Sequence, residues 1–467
     1  MMEKRASFHN LGCKVNAYET DAMEQLLEEA GYRIVPFDQP ADVCIINTCS
    51  VTNVADKKSR QMLHRAKAKN PQAVVVAAGC YVQAAAETLR NDGAVDIIIG
   101  NNKKKELVKI LEEYFATHGR EDAFLTDIDH ANEYEELHIR RVCSHTRAFI
   151  KVQDGCNQFC SYCIIPYTRG RVRSRNPQDV AAEARRLAAA GNKELVLTGI
   201  HLSSYGKDFA GNGEDGGKEA REGQTVCGLL DLVRILHKVD GIERIRLGSL
   251  EPRIVTPEFA RSLAALPKVC PHFHLSLQSG CAETLKRMNR HYTPQEYEQS
   301  CSYLREAFGS PAITTDVIVG FPGETDEEFA RTREFLENIH FYEMHVFKYS
   351  RRERTRAAVM PDQIDERIKN ERSDALLALE KTMSAEYRSR FIGKTTQALF
   401  EEVQKIKGKW YIVGYNREYV KLAMPVKAED ETGVKAAEAG LRGQLVSGRV
   451  SGWLTDEILQ FLPQNIE

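Results

Sequence analysis

Short apolar runs alternate with longer amphipathic stretches along most of this chain, and that alternation restricts the possible folds more than any other feature. In the first quarter, strand-like runs end at residue 11 and cover 43–47, 73–78 and 96–99, with helical periodicity at 20–30 and 54–68. Such alternation is typical of parallel βαβ units. We therefore predict an open parallel α/β sheet domain over residues 1–120.

The same alternation of strand-like and helical runs begins again after an acidic stretch, which we interpret as a linker over residues 121–141. Six further strand runs follow, at 149–152, 195–197, 245–247, 273–277, 315–319 and 344–347, with helical stretches between them. Six βα units in about 200 residues fit an incomplete barrel, because a closed eight-unit barrel needs roughly 250. We predict a partial (β/α)6 barrel over residues 142–372, with the Gly- and charge-rich insert 207–224 as a surface loop.

The last region, 373–463, has a different pattern. A charged helix predicted from about 362 to 390 leads into short β-like runs at 397–400, 410–413, 419–422 and 443–450, separated by glycines. Short strands with Gly-rich turns indicate a small antiparallel β-barrel. The fold class is therefore α/β, with three consecutive regions of different architecture.

Three cysteines, Cys13, Cys49 and Cys80, each come one to three residues after a predicted strand of the first sheet. The carboxyl ends of parallel strands share one edge, so thiols far apart in sequence can converge there. The alternative is that they are buried structural thiols, as Cys44 inside its strand is expected to be. No run reaches the ~20 apolar residues of a membrane span, so we expect a cytoplasmic protein whose twelve cysteines stay reduced.

Cys156, Cys160 and Cys163 form a Cys-x3-Cys-x2-Cys motif directly after the first barrel strand. Three thiolates on one short loop can ligate three irons of a [4Fe–4S] cluster and leave the fourth iron open. The alternative is zinc, which requires a fourth ligand that the neighbouring sequence does not offer at the usual spacing. The remaining cysteines follow no ligand spacing and are expected to be inert: Cys143, Cys227, Cys270, Cys281 and Cys301. His272 and His274 flank a strand and are expected to be packed, hydrogen-bonded residues.

The Cys-x3-Cys-x2-Cys motif, with an aromatic residue before its last cysteine, resembles the signature of the radical S-adenosylmethionine (SAM) enzymes. The resemblance implies that the open iron chelates SAM and that reductive cleavage gives a 5′-deoxyadenosyl radical. Tyr162 matches the aromatic residue that this family places near the adenine of SAM. The cofactor supplies the difficult chemistry in such enzymes, and the protein supplies orientation and a dry site.

The whole chain resembles more narrowly the methylthiotransferases, which join a three-cysteine domain, a radical SAM barrel and an RNA-binding TRAM barrel in this order. The matching strings lie at 11–16, 47–49, 79–80, 154–156, 166–170, 197–199, 249–252, 276–280 and 320–324. The resemblance implies a second [4Fe–4S] cluster on Cys13, Cys49 and Cys80, one SAM as methyl donor and a second SAM as radical source. Matching residues near the SAM pocket are Gly199, Ser249, Glu251, Ser276 and Gln278. The last four could instead satisfy polar groups inside the barrel.

Family members modify isopentenyl-adenosine or threonylcarbamoyl-adenosine at position 37 of tRNA, or an aspartate of a small-subunit ribosomal protein. The strings 12–20 and 153–167 most resemble the threonylcarbamoyl-adenosine branch, whose substrate carries a carboxylate that suits a basic partner. A flavodoxin or ferredoxin is the implied electron donor. The net charge of −2 gives no global attraction to RNA, so we expect the basic strips 169–175 and 351–356 to contact tRNA phosphates. An iron–sulfur RNA-binding protein without enzyme activity is the remaining alternative.

Overall fold

The computed structural model describes residues 4–117, 124–142, 146–209, 227–427 and 430–464. The amino-terminal region is a five-stranded, wholly parallel sheet in the order β2-β1-β3-β4-β5. Its strands are β1 (Arg5–Asn10), β2 (Arg33–Val35), β3 (Val43–Thr48), β4 (Val74–Gly79) and β5 (Ile97–Ile99). Its helices are α1 (Lys14–Glu29), α2 (Asn53–Lys69), α3 (Cys80–Ala84), α4 (Ala86–Arg90) and α5 (Leu107–Thr117). The predicted open sheet is confirmed, and the three-residue strand β2 is an addition.

Both faces of this sheet are buried, which explains why its strands read as continuous apolar runs. Ile45 and Val76 belong to one apolar cluster, while Ile46 and Val75 belong to the cluster on the opposite face. Helix α1 begins at residue 14 and not near 20 as the periodicity predicts, because its first turns carry polar residues that face the neighbouring barrel. Cys44 is fully buried in β3, as expected.

The central region is the predicted partial barrel. Its parallel strands are β6 (Ala148–Asp154), β8 (Glu194–Gly199), β9 (Arg244–Leu247), β10 (His272–His274), β11 (Ala312–Val319) and β12 (Glu343–Lys348), and β7 (Arg173–Ser174) pairs antiparallel to β6. Its helices are α6 (Ile165–Arg169), α7 (Pro177–Ala189), α8 (Leu229–His237), α9 (Pro257–Ala264), α10 (Ala282–Arg287), α11 (Pro294–Phe308) and α12 (Asp326–Ile339). Isolated bridges, such as Leu250 to Leu275, continue the sheet from β9 to β10. Most of the predicted surface insert 207–224 lies outside the described residues.

The acidic segment interpreted as a linker is packed against the rest of the protein where it is described. Residues 124–142 form neither helix nor strand, yet Ile128, Leu137 and Ile139 are buried. The hydroxyl of Tyr18 donates to the carbonyl of Leu137 at 2.6 Å, which attaches the segment to α1. The connection between sheet and barrel is therefore a fixed part of the interface, and its acidic composition gave no sign of this.

The carboxyl-terminal region is a small closed barrel that follows the long helix α13 (Glu366–Ser389). Its elements are β13 (Thr395–Ile406), β14 (Lys409–Tyr415), β15 (Lys421–Pro425), α14 (Glu431–Leu441), β16 (Leu445–Trp453) and β17 (Leu459–Pro463). Four of its pairings are antiparallel as predicted, but β15 and β17 pair in parallel to close the barrel. The last strand, β17, was not predicted.

The turn between β14 and β15 closes the lower end of the partial barrel, where the strands begin. Arg244 donates to the carbonyl of Tyr415 at 3.1 Å, and Arg246 donates to the carbonyl of Arg417 at 2.9 Å. Tyr419, in a left-handed conformation (φ 69°), covers this end from below. No helix in the described part of the chain is long and apolar enough to cross a bilayer.

Two leucines of β17 test whether this strand closes the small barrel. Leu459 is fully buried in the barrel core, whereas Leu462 on the same strand is 44% exposed. We expect Leu459→Ala to lower the free energy of unfolding by about 2–5 kcal/mol, because it leaves a cavity in a closed core. Leu462→Ala should change it by less than about 1 kcal/mol. Denaturant unfolding of both variants measures the difference, and equal effects would contradict the closed barrel.

Candidate active site

The Cys-x3-Cys-x2-Cys loop follows β6 at the carboxyl-terminal edge of the partial barrel. Its start is fixed by Gly155, which has φ +69° and packs so closely that a Cβ there would lie 1.8 Å from the carbonyl oxygen of Arg171. The backbone N–H of Cys156 donates to the carbonyl of Gly170 at 3.0 Å, and that of Cys163 donates to the carbonyl of Cys160 at 3.0 Å. The loop is thus a fixed frame for three thiols.

The three thiols of this loop lie close enough to influence one another. Burial, together with the nearby Cys160, raises the pKa of Cys156 to about 11. Burial also raises the pKa of Cys163, with Cys160 and Cys156 as the next causes. The guanidinium of Arg290 donates to Sγ of Cys160 at 3.1 Å. We refer to Cys156, Cys160 and Cys163 as the barrel triad.

Cys13, Cys49 and Cys80 converge at the carboxyl edge of the amino-terminal sheet, as predicted. Cys13 precedes α1, Cys49 follows β3, and Cys80 begins α3 directly after β4. A Cβ on Gly12 would lie 3.0 Å from Sγ of Cys49, which places the chain next to Cys13 against that thiol. Burial, together with the nearby Cys80 and Cys13, raises the pKa of Cys49 to about 11. We refer to these three residues as the sheet triad.

Cys13 differs from the other two members because its surface is accessible to solvent. Enough protein nevertheless surrounds it that desolvation raises the pKa of its thiol. The neighbouring Lys14 has the same character: it is exposed, yet desolvation lowers its pKa to about 8.

Helix α6, which follows the barrel triad in sequence, connects it to the sheet triad. Nε of Arg169 donates to Sγ of Cys80 at 3.2 Å. Asn101 donates to the carbonyl of Thr168 at 2.7 Å and approaches Sγ of Cys80 at 3.7 Å. The backbone N–H of Cys156 donates to Gly170, one residue beyond Arg169, so the end of α6 and the residue after it contact one member of each triad.

A buried charge network surrounds this connection. Oε1 of Glu19 lies 2.8 Å from Nη1 of Arg169 and 2.7 Å from Nζ of Lys151, and Oε2 lies 3.1 Å from Nζ of Lys104. Asp154 lies 2.6 Å from Lys151 and 3.1 Å from Arg169. All five side chains are at most 3% exposed. Three cations share two carboxylates, and this excess of positive charge favours thiolates, and hence metal ligation, at the adjacent sheet triad.

This network corrects the prediction that residues 169–175 form an RNA-contacting strip. Arg169, Arg173 and Arg175 are buried, and Arg175 lies 2.9 Å from the carboxylate of Glu183. In the sequence, the alternating Arg residues at positions 169–175 resemble a solvated basic face. In the fold, three of them are buried and pair with carboxylates from other segments. Arg171 is the exposed member, and its guanidinium lies 4.6 Å from the ring of Phe159.

The strip 351–356 is only partly available to RNA. Arg352 is buried and lies 2.7 Å from Asp56, which attaches the last barrel loop to α2. Arg351, Arg354 and Arg356 are exposed on the same side. Phosphate contacts are therefore still expected here, from three of the four arginines.

The residues matched to the SAM pocket follow the ends of neighbouring barrel strands, where such barrels place their active sites. Gly199 ends β8, Ser249 follows β9 and is exposed, and Ser276 follows β10. Gln278 has φ 73°, a conformation rare for a residue with a side chain and enriched at functional sites. Glu251 is buried, lies 2.5 Å from Arg253 and 3.6 Å from His201, and has a pKa lowered by Arg253.

Tyr162 packs edge-on to Phe321, with ring centroids 6.4 Å apart. Phe321 belongs to the string at 320–324 that follows β11, so this contact joins the barrel triad to the opposite side of the strand ends. Tyr162 and Phe321 therefore form an aromatic surface beside the barrel triad.

Several residues of the site carry no signal in the sequence taken one at a time. Asn101 and Arg290 lie far in sequence from the cysteines that they approach, and Glu19 acts on Cys80 only through Arg169. His274, Asp316 and His345 have ligand atoms within 4.8 Å of one another inside the barrel, with His274 Nε2 and Asp316 Oδ2 3.2 Å apart. They lie on the three consecutive strands β10, β11 and β12, where Asp316 pairs in register with His345. His272 and His274 are packed in the interior, as expected, although His272 Nδ1 has no hydrogen-bond partner among the described residues.

Comparison with known proteins agrees with this geometry. The Radical SAM superfamily matches residues 150–336, and Uncharacterized protein family UPF0004 matches residues 5–100. The chain is 40% identical to threonylcarbamoyladenosine tRNA methylthiotransferase MtaB of Bacillus subtilis (strain 168) over 93% of this chain and 94% of that protein. It is 35% identical to tRNA-2-methylthio-N(6)-dimethylallyladenosine synthase of Pelotomaculum thermopropionicum, over 87% and 88%.

Among solved structures, the radical SAM methyltransferase TsrM of Kitasatospora setae, with cobalamin and a [4Fe–4S] cluster bound, matches with TM-score 0.55 over 77% of each chain. At 16% identity this likeness concerns the fold. A thiol triad after the first strand of a partial parallel barrel defines the class of radical SAM enzymes. Within that class, the chain belongs to the methylthiotransferase family, whose members use SAM and [4Fe–4S] clusters. The thiol donors fit such clusters, since each triad offers three soft ligands.

Glu19 tests the buried network. Glu19→Gln removes the carboxylate that two lysines and Arg169 share, and we expect a loss of about 3–5 kcal/mol in the free energy of unfolding, since buried cations remain uncompensated. Glu29→Gln, which breaks the exposed pair with Arg140, should cost less than about 1 kcal/mol. Thermal unfolding at constant pH compares the two variants.

The same network gives a pH dependence with a definite sign. Charge partners, Arg169 first, hold the pKa of Glu19 well below its ordinary value against the opposing effect of burial. Its stabilisation is therefore complete above the unfolded-state pKa of about 4.3 and is lost as the pH falls below it. Wild type should lose its stability advantage over Glu19→Gln in that acidic range. An advantage unchanged from pH 7 to pH 3 would contradict the assignment.

Gly155 tests the frame of the barrel triad. Gly155→Ala places a methyl group on the backbone of Arg171 at a positive φ, so we expect displacement of the loop and loss of at least half of the iron bound at the barrel triad. Gly191→Ala is the matched control, because Gly191 also has a positive φ but no atom within 4 Å of its Cβ position. Iron and sulfide analysis after anaerobic reconstitution gives the result. Full iron content in Gly155→Ala would show that the frame is dispensable.

Proposed function

We propose that this enzyme adds a methylthio group to C2 of N6-threonylcarbamoyladenosine at position 37 of tRNA. The observation that supports the proposal best is that one short segment, Arg169 with Gly170 at the end of α6, contacts a member of each thiol triad. A barrel triad alone would fit any radical SAM enzyme. A second triad beside it supports a reaction in which a sulfur-bearing group and a radical source are needed at the same substrate atom.

In this proposal Cys156, Cys160 and Cys163 hold one [4Fe–4S] cluster, and Cys13, Cys49 and Cys80 hold the other. When bound, the clusters supply reductive cleavage of SAM and the sulfur that is transferred, with one SAM consumed as methyl donor and one as radical source. Arg290 donates to Cys160, and Arg169 donates to Cys80, so each triad has a cationic partner that stabilises ligating thiolate. The chain's own contribution is thus to position the two thiol sets and to supply compensating charge.

The residues beyond the strand ends complete the proposed site. Tyr162, Gly199, Ser249, Glu251, Ser276 and Gln278 form the proposed SAM pocket. Glu251 is ionised beside Arg253 and His201 and suits the positively charged amino group of SAM. A Cβ on Gly199 would lie 2.9 Å from Oε1 of Gln153, so the side chain of Gln153 requires a glycine at this strand end.

The tRNA is proposed to lie across the amino-terminal sheet, the open side of the partial barrel and the carboxyl-terminal barrel. Exposed Arg351, Arg354 and Arg356 beside the site support phosphate contacts. The modified base has to leave the stack to reach a recessed site, as bases do in other base-modifying enzymes. The proposed regions are the sheet domain at 1–120, the connector at 121–141, the partial barrel at 142–372 and the helix with the small barrel at 373–463. A flavodoxin or ferredoxin is the proposed electron donor.

The relatives support the tRNA but do not separate its two modified bases. Named threonylcarbamoyladenosine enzymes reach 40% identity, and a named dimethylallyladenosine enzyme reaches 35%. Dimethylallyladenosine is therefore the competing substrate, and the strings around residues 12–20 favour the threonylcarbamoyl form.

Nucleoside analysis of tRNA tests the proposal. In a strain that lacks this gene, we expect 2-methylthio-threonylcarbamoyladenosine to disappear and its unmethylthiolated precursor to accumulate, while methylthio-dimethylallyladenosine stays constant. Complementation by wild type should restore the product, and complementation by Cys80→Ala should not. If methylthio-dimethylallyladenosine is lost instead, dimethylallyladenosine is the substrate and the proposal is wrong. If the tRNA profile is unchanged and a ribosomal protein is lighter by one methylthio group, the substrate is that protein and not tRNA.

A further inference from the structure

The interior of the partial barrel holds three potential metal ligands that the reaction described above does not use. His274 lies on β10, Asp316 on β11 and His345 on β12, and their ligand atoms all lie within 4.8 Å of one another. Side chains alternate along each strand, so neighbouring residues face opposite ways. Phe273 and Val317 pack in the apolar cluster that the strands share with the helices. The three polar side chains therefore face the interior of the barrel.

The imidazole of His274 is oriented as metal-binding imidazoles usually are. Its Nδ1 lies 3.0 Å from Oγ1 of Thr314. Its Nε2 lies 3.2 Å from Oδ2 of Asp316, yet it makes no hydrogen bond with any residue that the structure describes. When the Thr314 hydroxyl accepts the Nδ1 proton, Nε2 presents its lone pair towards Asp316. A histidine that binds a metal through one nitrogen typically has such a partner on the other.

The carboxylate of Asp316 is available as a second ligand. Within the described part of the chain, His274 is its ion-pair partner and neither Arg nor Lys pairs with it. Burial alone would raise the pKa of Asp316, but the nearby His274 and His345 hold it below its ordinary value. Two ligands that are each about 2.1 Å from one ion lie about 3–3.5 Å apart, and His274 and Asp316 already have this spacing.

His345 completes the group from the side of the barrel that is open. Among the described strands β12 pairs with β11 alone, and Asp316 is in register with His345 across that pair. The rings of His274 and His345 stack with their centroids 5.8 Å apart. Because His345 is exposed, an ion can reach the group from solvent, and the side chain has room to move onto it.

A second group of potential ligands lies outside the barrel interior and is less suitable. Cys281, Glu283 and Glu328 also have ligand atoms within 4.8 Å of one another. Both carboxylates already have a cationic partner, because Arg331 lies 3.1 Å from Glu283 and Arg287 donates to Glu328 at 2.9 Å. An ion there would have to compete with two guanidinium groups.

We propose that His274, Asp316 and His345 bind a divalent transition-metal ion of the zinc class in the interior of the barrel. Two imidazoles and one carboxylate are typical ligands of such ions, whereas Mg²⁺ and Ca²⁺ prefer oxygen ligands alone. The ion is a third metal centre, separate from the two cysteine triads. Its binding does not depend on which tRNA base the enzyme modifies.

The proposed metal site adjoins the proposed SAM pocket. Ser276 follows His274 by two residues, and the backbone N–H of Gln278 donates to the carbonyl of Asp316 at 2.8 Å. Three protein ligands leave at least one coordination position of a zinc-class ion open. We expect water, or an oxygen atom of a molecule bound in the barrel, to occupy that position.

Zinc binding to the full chain tests the proposal. Enzyme reconstituted with about eight irons, the content of two cubane clusters, is dialysed against Zn²⁺ or Mg²⁺, and the bound metals are counted. We expect about one zinc per chain, no loss of iron and no bound magnesium. X-ray absorption at the zinc edge should show nitrogen and oxygen neighbours without sulfur.

Two results of this measurement would overturn the proposal. One is the absence of bound zinc at micromolar concentration. The other is a zinc ion with sulfur neighbours, because such an ion has bound to cysteines and not to the histidines. The nature of the neighbours identifies the site whatever the iron content of the protein.

Substitution of His345 separates a metal site from an ordinary ion pair. His345→Ala should lower the affinity for Zn²⁺ by more than about 100-fold, since loss of a ligand's outer partner alone typically costs 10- to 100-fold. The matched control is His64→Ala. His64 lies 2.9 Å from Asp92, but no third ligand completes that pair among the described residues, so this variant should bind zinc as wild type does. Equal zinc affinity in His345→Ala and wild type would reduce the group to a His274–Asp316 ion pair.

Thr314 and Thr315 test the orientation of His274 with the same substitution on opposite faces of β11. Thr314→Val removes the partner of Nδ1 and should lower the zinc affinity by about 10- to 100-fold. Thr315 donates instead to the carbonyl of Leu275 at 2.6 Å, so Thr315→Val should leave the zinc affinity unchanged. Equal affinities in the two variants would show that Thr314 does not position the ligand.

Discussion

The bidentate contact of Arg169 with Glu19 and Asp154 is the interaction on which the arrangement of the site depends. Glu19 comes from the amino-terminal sheet domain, whereas Asp154 and Arg169 flank the cysteine loop of the barrel. Desolvating this many charges is expensive, and the cost is recovered only when every partner is in place. The network therefore favours the docking position in which all partners meet, and in that position Arg169 of the barrel also contacts Cys80 of the sheet triad.

This constraint also explains how a protein of net charge −2 can present an electropositive site. The excess of cations is local and buried, close to Cys80, while acidic residues elsewhere balance the total. A metal cluster with thiolate ligands is anionic, so preorganised cations reduce the free energy of placing it in a recess.

The carboxyl-terminal barrel has a structural role besides its proposed contact with RNA. Its β14–β15 turn closes the lower end of the partial barrel and supplies carbonyl groups to Arg244 and Arg246. Those arginines are thereby held in the interior, where burial and then the charge of Arg246 lower the pKa of His272. The three regions are consequently interdependent, although each has its own strand pattern in the sequence.

The sequence by itself determined the order of elements, the two thiol triads and the class of chemistry. These follow from short-range patterns: the alternation of apolar residues, the spacing of Cys156, Cys160 and Cys163, and cysteines placed after strands. Only the tertiary structure decided that Arg169, Arg173 and Arg175 are buried, that residues 124–142 are packed, and that Leu459 lies in a closing strand. The physical reason is that burial of a charge depends on carboxylates supplied from distant segments. Local composition does not identify those partners, because a solvated arginine and a paired arginine can have the same sequence neighbours.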